Sequence, residues 1–283
     1  MTHITACIDG SAISGSVCDA AAWASTCLEV PLTLLHALEK PHTPAKEDLS
    51  GAIGLGSREQ LLDELTRLDE QRARLALEHG RHLLEEARAR AQALGASEVL
   101  LSQRHGALLE TLLECETNTR LFVMGRLGHD HDINARALGA HFESVVRALH
   151  TPILVTVGEF TPPSRYLIAY DGSDSANQAI QRIASSPLLK SMQGILVMVD
   201  SDTDSHRSCL QQATARLLET GHQVEGLLLE GSLQEQLDRV RREQEIELMV
   251  MGAYGHSRLR ELFVGSNTSR LVSNSGVPLL LLR

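Results

Sequence analysis

Apolar residues along this chain fall into two alternating patterns. Short apolar runs bounded by glycine, proline or acidic residues predict strands at Ile4–Ile8, Leu32–Leu38, Glu98–Gln103, Leu121–Met124 and Ile153–Val157. The same kind of run returns at Tyr166–Tyr170, Ile195–Val199, Gln223–Leu229, Leu248–Met251 and Leu279–Leu282. Between these runs Leu and Ala recur every three or four residues, which predicts helices. An Ala-rich stretch after Ser11 reads as a helix to about Glu29. Arg58–Ala93 reads as one long helix, or as two broken near His79-Gly80. Its charges are spread over all faces, which suits a cover for the sheet and its neighbour and not a membrane helix. Shorter helices are expected at Ala107–Glu116, about His141–Leu149, Asp174–Ser185, Ser205–Thr220, Leu233–Glu243 and Thr268–Ser275, with an irregular loop over Lys40–Ser57. Strands that alternate with helices imply an α/β fold whose parallel sheet is covered on both faces.

The chain also repeats itself. ITACIDGS carries Asp9, Gly10 and Ser11, and YLIAYDGS carries Asp171, Gly172 and Ser173. LFVMG, ending at Gly125, returns as LMVMG, ending at Gly252. Gly128 then matches Gly255, Gly139 matches Gly265, and Pro152 matches Pro278. A matched start, middle and end argue for duplication of a whole domain. The Pro-containing segment Gly158–Ser164 reads as the joint. The expected domains are therefore 1–160 and 161–283. The second copy is shorter, mainly in the loop after its second strand and in the long helix.

The last stretch of the chain carries the most specific chemistry. An apolar run ends at Gly252, Gly255 follows, and Gly265-Ser266-Asn267-Thr268 opens a helical pattern. Glycine at a strand end allows a close approach of ligand to main chain. A helix that opens with free N–H groups and short hydroxyls, at the positive end of its dipole, suits phosphate. In a parallel sheet, ligands lie beyond the strand C-terminal ends where the strand order reverses.

The spacing G-x2-G-x9-G-[ST], matched by Gly252, Gly255, Gly265 and Ser266, resembles the nucleotide-binding signature of the universal stress protein family in its ATP-binding branch. With the repeat, the resemblance covers nearly the whole chain as two tandem copies. It implies two Rossmann-like domains of the adenine nucleotide alpha hydrolase type. Each would be a five-stranded parallel sheet of order 3-2-1-4-5, which brings Asp171 and Gly252 to one crevice. It further implies adenine contacts, largely through backbone, at Ala169, Tyr170 and Val199. Asp171 would meet the ribose, or a Mg2+ ion carried by the phosphates. Phosphates would be held by the N–H groups of Ser266, Asn267 and Thr268, and the full nucleotide-binding set would include Met251, Gly252, Tyr254, Gly255 and Gly265. The implied ligand is ATP, with little or no hydrolysis, in a stress-induced protein. Fifth strands pair across dimers in this family, so Ile153–Val157 and Leu279–Leu282 are expected to pair within the chain as a pseudo-dimer, with a homodimer of whole chains open.

The first copy departs from the signature. Ala140 and Phe142 stand where Ser266 and Thr268 stand in the second, Glu143 places a negative charge at the helix start, and the glycine loop has one residue more. Each change costs about 1 kcal/mol in phosphate contact, so this copy is expected to bind nucleotide poorly or not at all. Asp9 reads as a strand-end cap or a remaining ribose contact. His256, Arg258 and Arg260 reach phosphate or are solvated; His129-Asp130-His131-Asp132 reads as a solvated loop, with a metal site the alternative.

Composition narrows the classes. A formal net charge of −10 argues against general nucleic-acid or anionic-membrane binding. Five cysteines, odd in number and without CxxC, suit reduced thiols and offer no zinc spacing. With no signal-like start and no membrane-length apolar run, a soluble cytoplasmic protein is expected. No paired acids or nucleophile–base order supply a catalytic set. With no catalytic set, the resemblance to the universal stress protein family implies an ATP-binding stress regulator or sensor as the expected function; the alternatives are a slow ATPase or nucleotidyl transferase on the same fold, or a pure interaction module.

Overall fold

The computed structural model describes residues 2–38, 55–126, 144–252 and 276–282, with side chains of the long helix described from residue 63 onward. In chain order the first half contains β1 (His3–Cys7), α1 (Ser14–Leu28), β2 (Leu32–Leu38), α2 (Leu55–Ala93), β3 (Val99–His105), α3 (Leu108–Cys115), β4 (Thr119–Gly125) and β5 (Ile153–Thr156). The second half contains β6 (Arg165–Tyr170), α4 (Asp174–Ala184), β7 (Gln193–Val199), α5 (Asp204–Glu219), β8 (Gln223–Leu229), α6 (Leu233–Glu243), β9 (Leu248–Gly252) and β10 (Leu279–Leu282).

The ten strands among the described residues form one sheet in the order β3-β2-β1-β4-β5-β10-β9-β6-β7-β8. Each half keeps the order 3-2-1-4-5, and every pairing within a half is parallel. The halves meet where β5 pairs antiparallel with β10, Leu154 opposite Leu280. This is the expected fifth-strand pairing. Because it is antiparallel, the C-terminal strand ends of the two halves lie at opposite ends of the sheet.

Strands buried on both faces explain the continuous apolar runs. Ile4, Ala6, Leu154, Ile168 and Leu280 belong to the core that includes α1 and α4. Phe122, Val155, Leu167, Ala169 and Leu281 belong to the core that includes α6. Burial of each large side chain contributes roughly 1.5–3 kcal/mol. Helix α1 approaches the sheet closely because Ala20, Ala21, Ala22 and Ala24 are fully buried. It ends at Glu29 in a left-handed conformation, φ 52°. The joint between the halves is anchored by Phe160, which packs against Trp23 with ring centroids 5.6 Å apart.

One question left open by the sequence is decided here. Helix α2 runs unbroken through Gly80. A Cβ there would come within 2.4 Å of Gln103 Nε2 and 2.6 Å of His36 Cδ2, so the glycine serves close packing against β2 and β3, not a break. Beyond it Leu84, Ala87 and Ala91 are buried, but every residue from 63 to 79 is exposed. The expectation that this helix covers the sheet holds only for its C-terminal part.

Candidate functional site

In the second half β6 and β9 are neighbours running in the same direction, with Ala169 opposite Met251. The chain therefore leaves the sheet side by side at Asp171 and Gly252. On the other flank of β6 stands β7, so the strand order reverses at this point and leaves a crevice beyond the strand ends.

The turn after β6 is held by its own side chains. Asp171 Oδ1 accepts hydrogen bonds from the Ser173 N–H at 3.1 Å and from Ser173 Oγ at 2.6 Å. Ser173 Oγ accepts in turn from the Ala176 N–H at 3.2 Å and caps α4. Asp171 Oδ2 makes no hydrogen bond with any described residue. Below this turn, Tyr170 donates its hydroxyl to Asn177 Oδ1 at 2.7 Å and lies 3.2 Å from Cys209 Sγ. Asn177 Nδ2 donates to the Gly172 carbonyl at 3.1 Å. Burial, then the Cys209 contact, push the Tyr170 phenol above its ordinary range. Tyr170 is therefore a neutral hydrogen-bonding strut under the turn.

Gly252 has a different neighbour from the one its motif suggests. A Cβ added there would sit 3.3 Å from the Ser175 carbonyl oxygen and 3.7 Å from the Ala176 Cα. Both belong to the first turn of α4, so Gly252 lets strand and helix start come together. Ala169, Tyr170 and Met251 are buried, at 2%, 4% and 0% exposure, and can meet a crevice ligand only through main chain. Val199 is half-buried at the end of β7. Tyr254, Gly255, Gly265, Ser266, Asn267 and Thr268 lie outside the described residues, as do His256, Arg258, Arg260 and the first-copy positions 129–132 and 139–143. The comparison of the two glycine loops thus stays with the sequence.

Known proteins place this geometry. The model of the universal stress protein family matches residues 1–156 and 197–283. Universal stress protein Slr1230 of Synechocystis is 31% identical over the whole of both chains. The chain belongs to the universal stress protein family. Among solved structures, a universal stress protein from Archaeoglobus fulgidus aligns over 99% of this chain and 96% of its own, with a TM-score of 0.70 at 17% identity. PA1789 of Pseudomonas aeruginosa, described as functionally unknown, aligns over 100% and 92% with a TM-score of 0.59 at 15% identity. These two matches show the fold.

The first half of this universal stress protein builds its matching turn differently. Asp9 Oδ1 accepts from the Ser11 N–H at 3.0 Å, Ser11 Oγ at 2.7 Å and Ser14 Oγ at 2.8 Å. Ser14 Oγ accepts from the Gly10 N–H at 3.0 Å. One carboxylate oxygen thus gathers three donors where Asp171 Oδ1 gathers two. Leu83 of α2 crowds Gly10, its Cδ1 being 2.9 Å from the place of a Cβ. His36 occupies the β2 position that corresponds to Met198 of β7, and its Nδ1 lies 2.6 Å from the Ile8 carbonyl oxygen. Sequence reasoning missed the Tyr170–Asn177–Cys209 strut. Its members lie seven and thirty-nine positions apart, and no local pattern links them.

Among the described residues no cluster of metal-binding side chains occurs and no helix is long and apolar enough to cross a membrane.

Proposed function

We propose that this universal stress protein binds ATP, with Mg2+ on its phosphates, in the crevice of its second half and acts as a nucleotide-dependent regulator in the stress response. The observation that carries this reading is the pairing of Asp171, with one carboxylate oxygen unengaged by any described residue, and Gly252 at adjacent strand ends where the sheet order reverses. Support also comes from the sequence that follows Gly252, which keeps the full G-x2-G-x9-G-S spacing. In this reading the buried strand ends at Ala169, Tyr170 and Met251 offer main chain to the adenine. Asp171 holds the ribose or the ion, and Gly265, Ser266, Asn267 and Thr268 hold phosphates with their N–H groups.

The same reading divides the protein into domains at 1–160 and 161–283 and treats them as a pseudo-dimer joined by the β5–β10 pair. The first domain, with Ala140, Phe142 and Glu143 in its glycine loop, is the structural or regulatory copy. The nucleotide acts as a signal whose differential affinity for two states shifts their balance, in the cytoplasm. The test is made on the protein as purified. Denaturation followed by mass spectrometry of the supernatant is expected to release about one adenine nucleotide per chain, with none from Gly265→Glu. Two per chain would assign a working site to the first domain as well. Absence of nucleotide, with no ATP binding on titration, would overturn the reading.

A further inference from the structure

A second cavity lies away from the crevice. It has a volume of about 180 Å³ and sits over the β5–β10 seam on the face that carries α1 and α4. Both halves build it: Leu28, Leu121 and Pro152 come from the first, and Leu189, Leu280 and Leu282 from the second. Its size is comparable to the ~150 Å³ apolar cavity that accepts a benzene-sized guest.

The polar part of its wall combines Ser185 and Ser186 with two cationic side chains, the half-buried Arg120 and the exposed Arg182. Arg120 of β4 and Arg182 of α4 both line it, and neither makes an ion pair with a described residue. In a chain of formal net charge −10, two guanidinium groups on one slot, without an ion-pair partner among the described residues, favour an anion there. Arg182 stands in the last turn of α4 and also offsets the negative end of that helix. Arg120 lies within a strand and has no helix end to offset. Guanidinium forks match carboxylate and phosphate oxygens in the same geometry.

We propose that this seam slot binds a small amphiphilic acid, an apolar body of about benzene size whose carboxylate or phosphate is held by Arg120 and Arg182. The slot lies beyond the C-terminal end of α4, while the Asp171 turn lies at its N-terminal end, so this binding is independent of the nucleotide reading. Because both halves contribute walls, an occupant links them and raises the thermal midpoint of the whole chain.

The test is calorimetric titration of the full chain with hexanoate, beside hexan-1-ol and inorganic phosphate, with ATP as a competitor. Saturable hexanoate binding at one site is expected, weakened about tenfold by Arg120→Gln and by Arg182→Gln, with both variants keeping the wild-type circular dichroism spectrum. Hexan-1-ol should bind more weakly, phosphate alone more weakly still, and ATP should not compete. Four results would each overturn the proposal: no hexanoate heat at millimolar concentration, equal binding of hexan-1-ol, affinity unchanged in both arginine variants, or phosphate alone binding as tightly as hexanoate.

Discussion

The two halves place the same turn at the end of their first strands and then fill the space around it with different side chains. At Asp171 the neighbours are Ser173, Tyr170, Asn177 and Cys209, and one carboxylate oxygen has no hydrogen-bond partner among the described residues. At Asp9 the acid is gathered in by Ser11 and Ser14, Leu83 presses on Gly10, and His36 stands where the second half has Met198. The strand order is shared, so among the described residues the two turns differ in the side chains packed around them. An architecture can be copied while the side chains around its crevice diverge, because strand order depends on apolar periodicity and the surroundings of a turn depend on a few polar atoms.

The largest effect on this comparison is expected at a pair of core positions that the halves fill in opposite ways. Ile4 faces Leu32 across β1 and β2, whereas Tyr166 faces Gly194 across β6 and β7. A Cβ at Gly194 would lie 2.4 Å from the Tyr166 ring, which is fully buried and has no room to retreat. Gly194→Leu should destabilise the protein by about 3 kcal/mol, read as a drop in the chemical-denaturation midpoint. The double change Tyr166→Ile with Gly194→Leu, which copies the first half, should recover a substantial part. Simple additivity in that double-mutant cycle would refute the claim that the two positions share one space.

Next comes the acid itself. Asp171→Ala should weaken ATP binding by about tenfold or more, the value of a hydrogen bond to a charged group, while Asp9→Ala should leave the affinity unchanged. Equal losses from the two substitutions would break the contrast between the turns.

A smaller, pH-dependent difference separates the segments before the third strands. His222 occupies the place where the first half has Ala96; both follow a glycine and both donate their N–H back to the end of the preceding helix. His222 is 2% exposed. Burial, then the neighbouring Lys190 ammonium, hold its imidazole below the ordinary range against the opposing pull of the Ile183 backbone. A folded-state value below the unfolded one means that folding disfavours the proton. The stability is complete above the unfolded pKa, about 6.5, and is lost as pH falls from there through the folded value. His222→Ala should flatten this acid-side decline in thermal midpoint, whatever it does to stability at neutral pH. An unchanged slope would show that other groups set it.

The smallest change concerns Tyr166 again. Its hydroxyl is buried without a hydrogen-bond partner among the described residues, and burial pushes the phenol up to about 12. Tyr166→Phe removes the unsatisfied group and keeps the ring, so stability should stay level or rise by up to about 1 kcal/mol. A clear loss in the denaturation curve would reveal a partner for that oxygen.

Much of this fold was legible because its determinants are local. Apolar runs bounded by turn residues located all ten strands, usually to within a residue or two, and Leu32–Leu38, Gln223–Leu229 and Leu279–Leu282 needed no adjustment. The repeat of Asp-Gly-Ser and of the glycine-ended fourth strand announced the duplication. Gly80 was ambiguous because a glycine in a helical pattern signals either a break or a close approach, and only the side chains of His36 and Gln103 decide which. The same holds for Gly252, whose closest neighbour among the described residues is the α4 backbone. The Tyr170–Asn177–Cys209 strut and the seam slot with Arg120 and Arg182 arise from residues brought together by the sheet, and no spacing rule along the chain reaches them.

The β5–β10 seam has a consequence for how such a chain can change over time. When two separate, identical subunits meet through an antiparallel strand pair, every residue near the axis must suit its own copy, so one substitution is felt twice. Here the two strands belong to a single chain and already differ, Ile-Leu-Val-Thr facing Leu-Leu-Leu-Leu. Covalent fusion releases the seam from that palindromic rule. Each side can accept a change that the other answers with a different one, and the two crevices at opposite ends of the sheet are free to be selected separately.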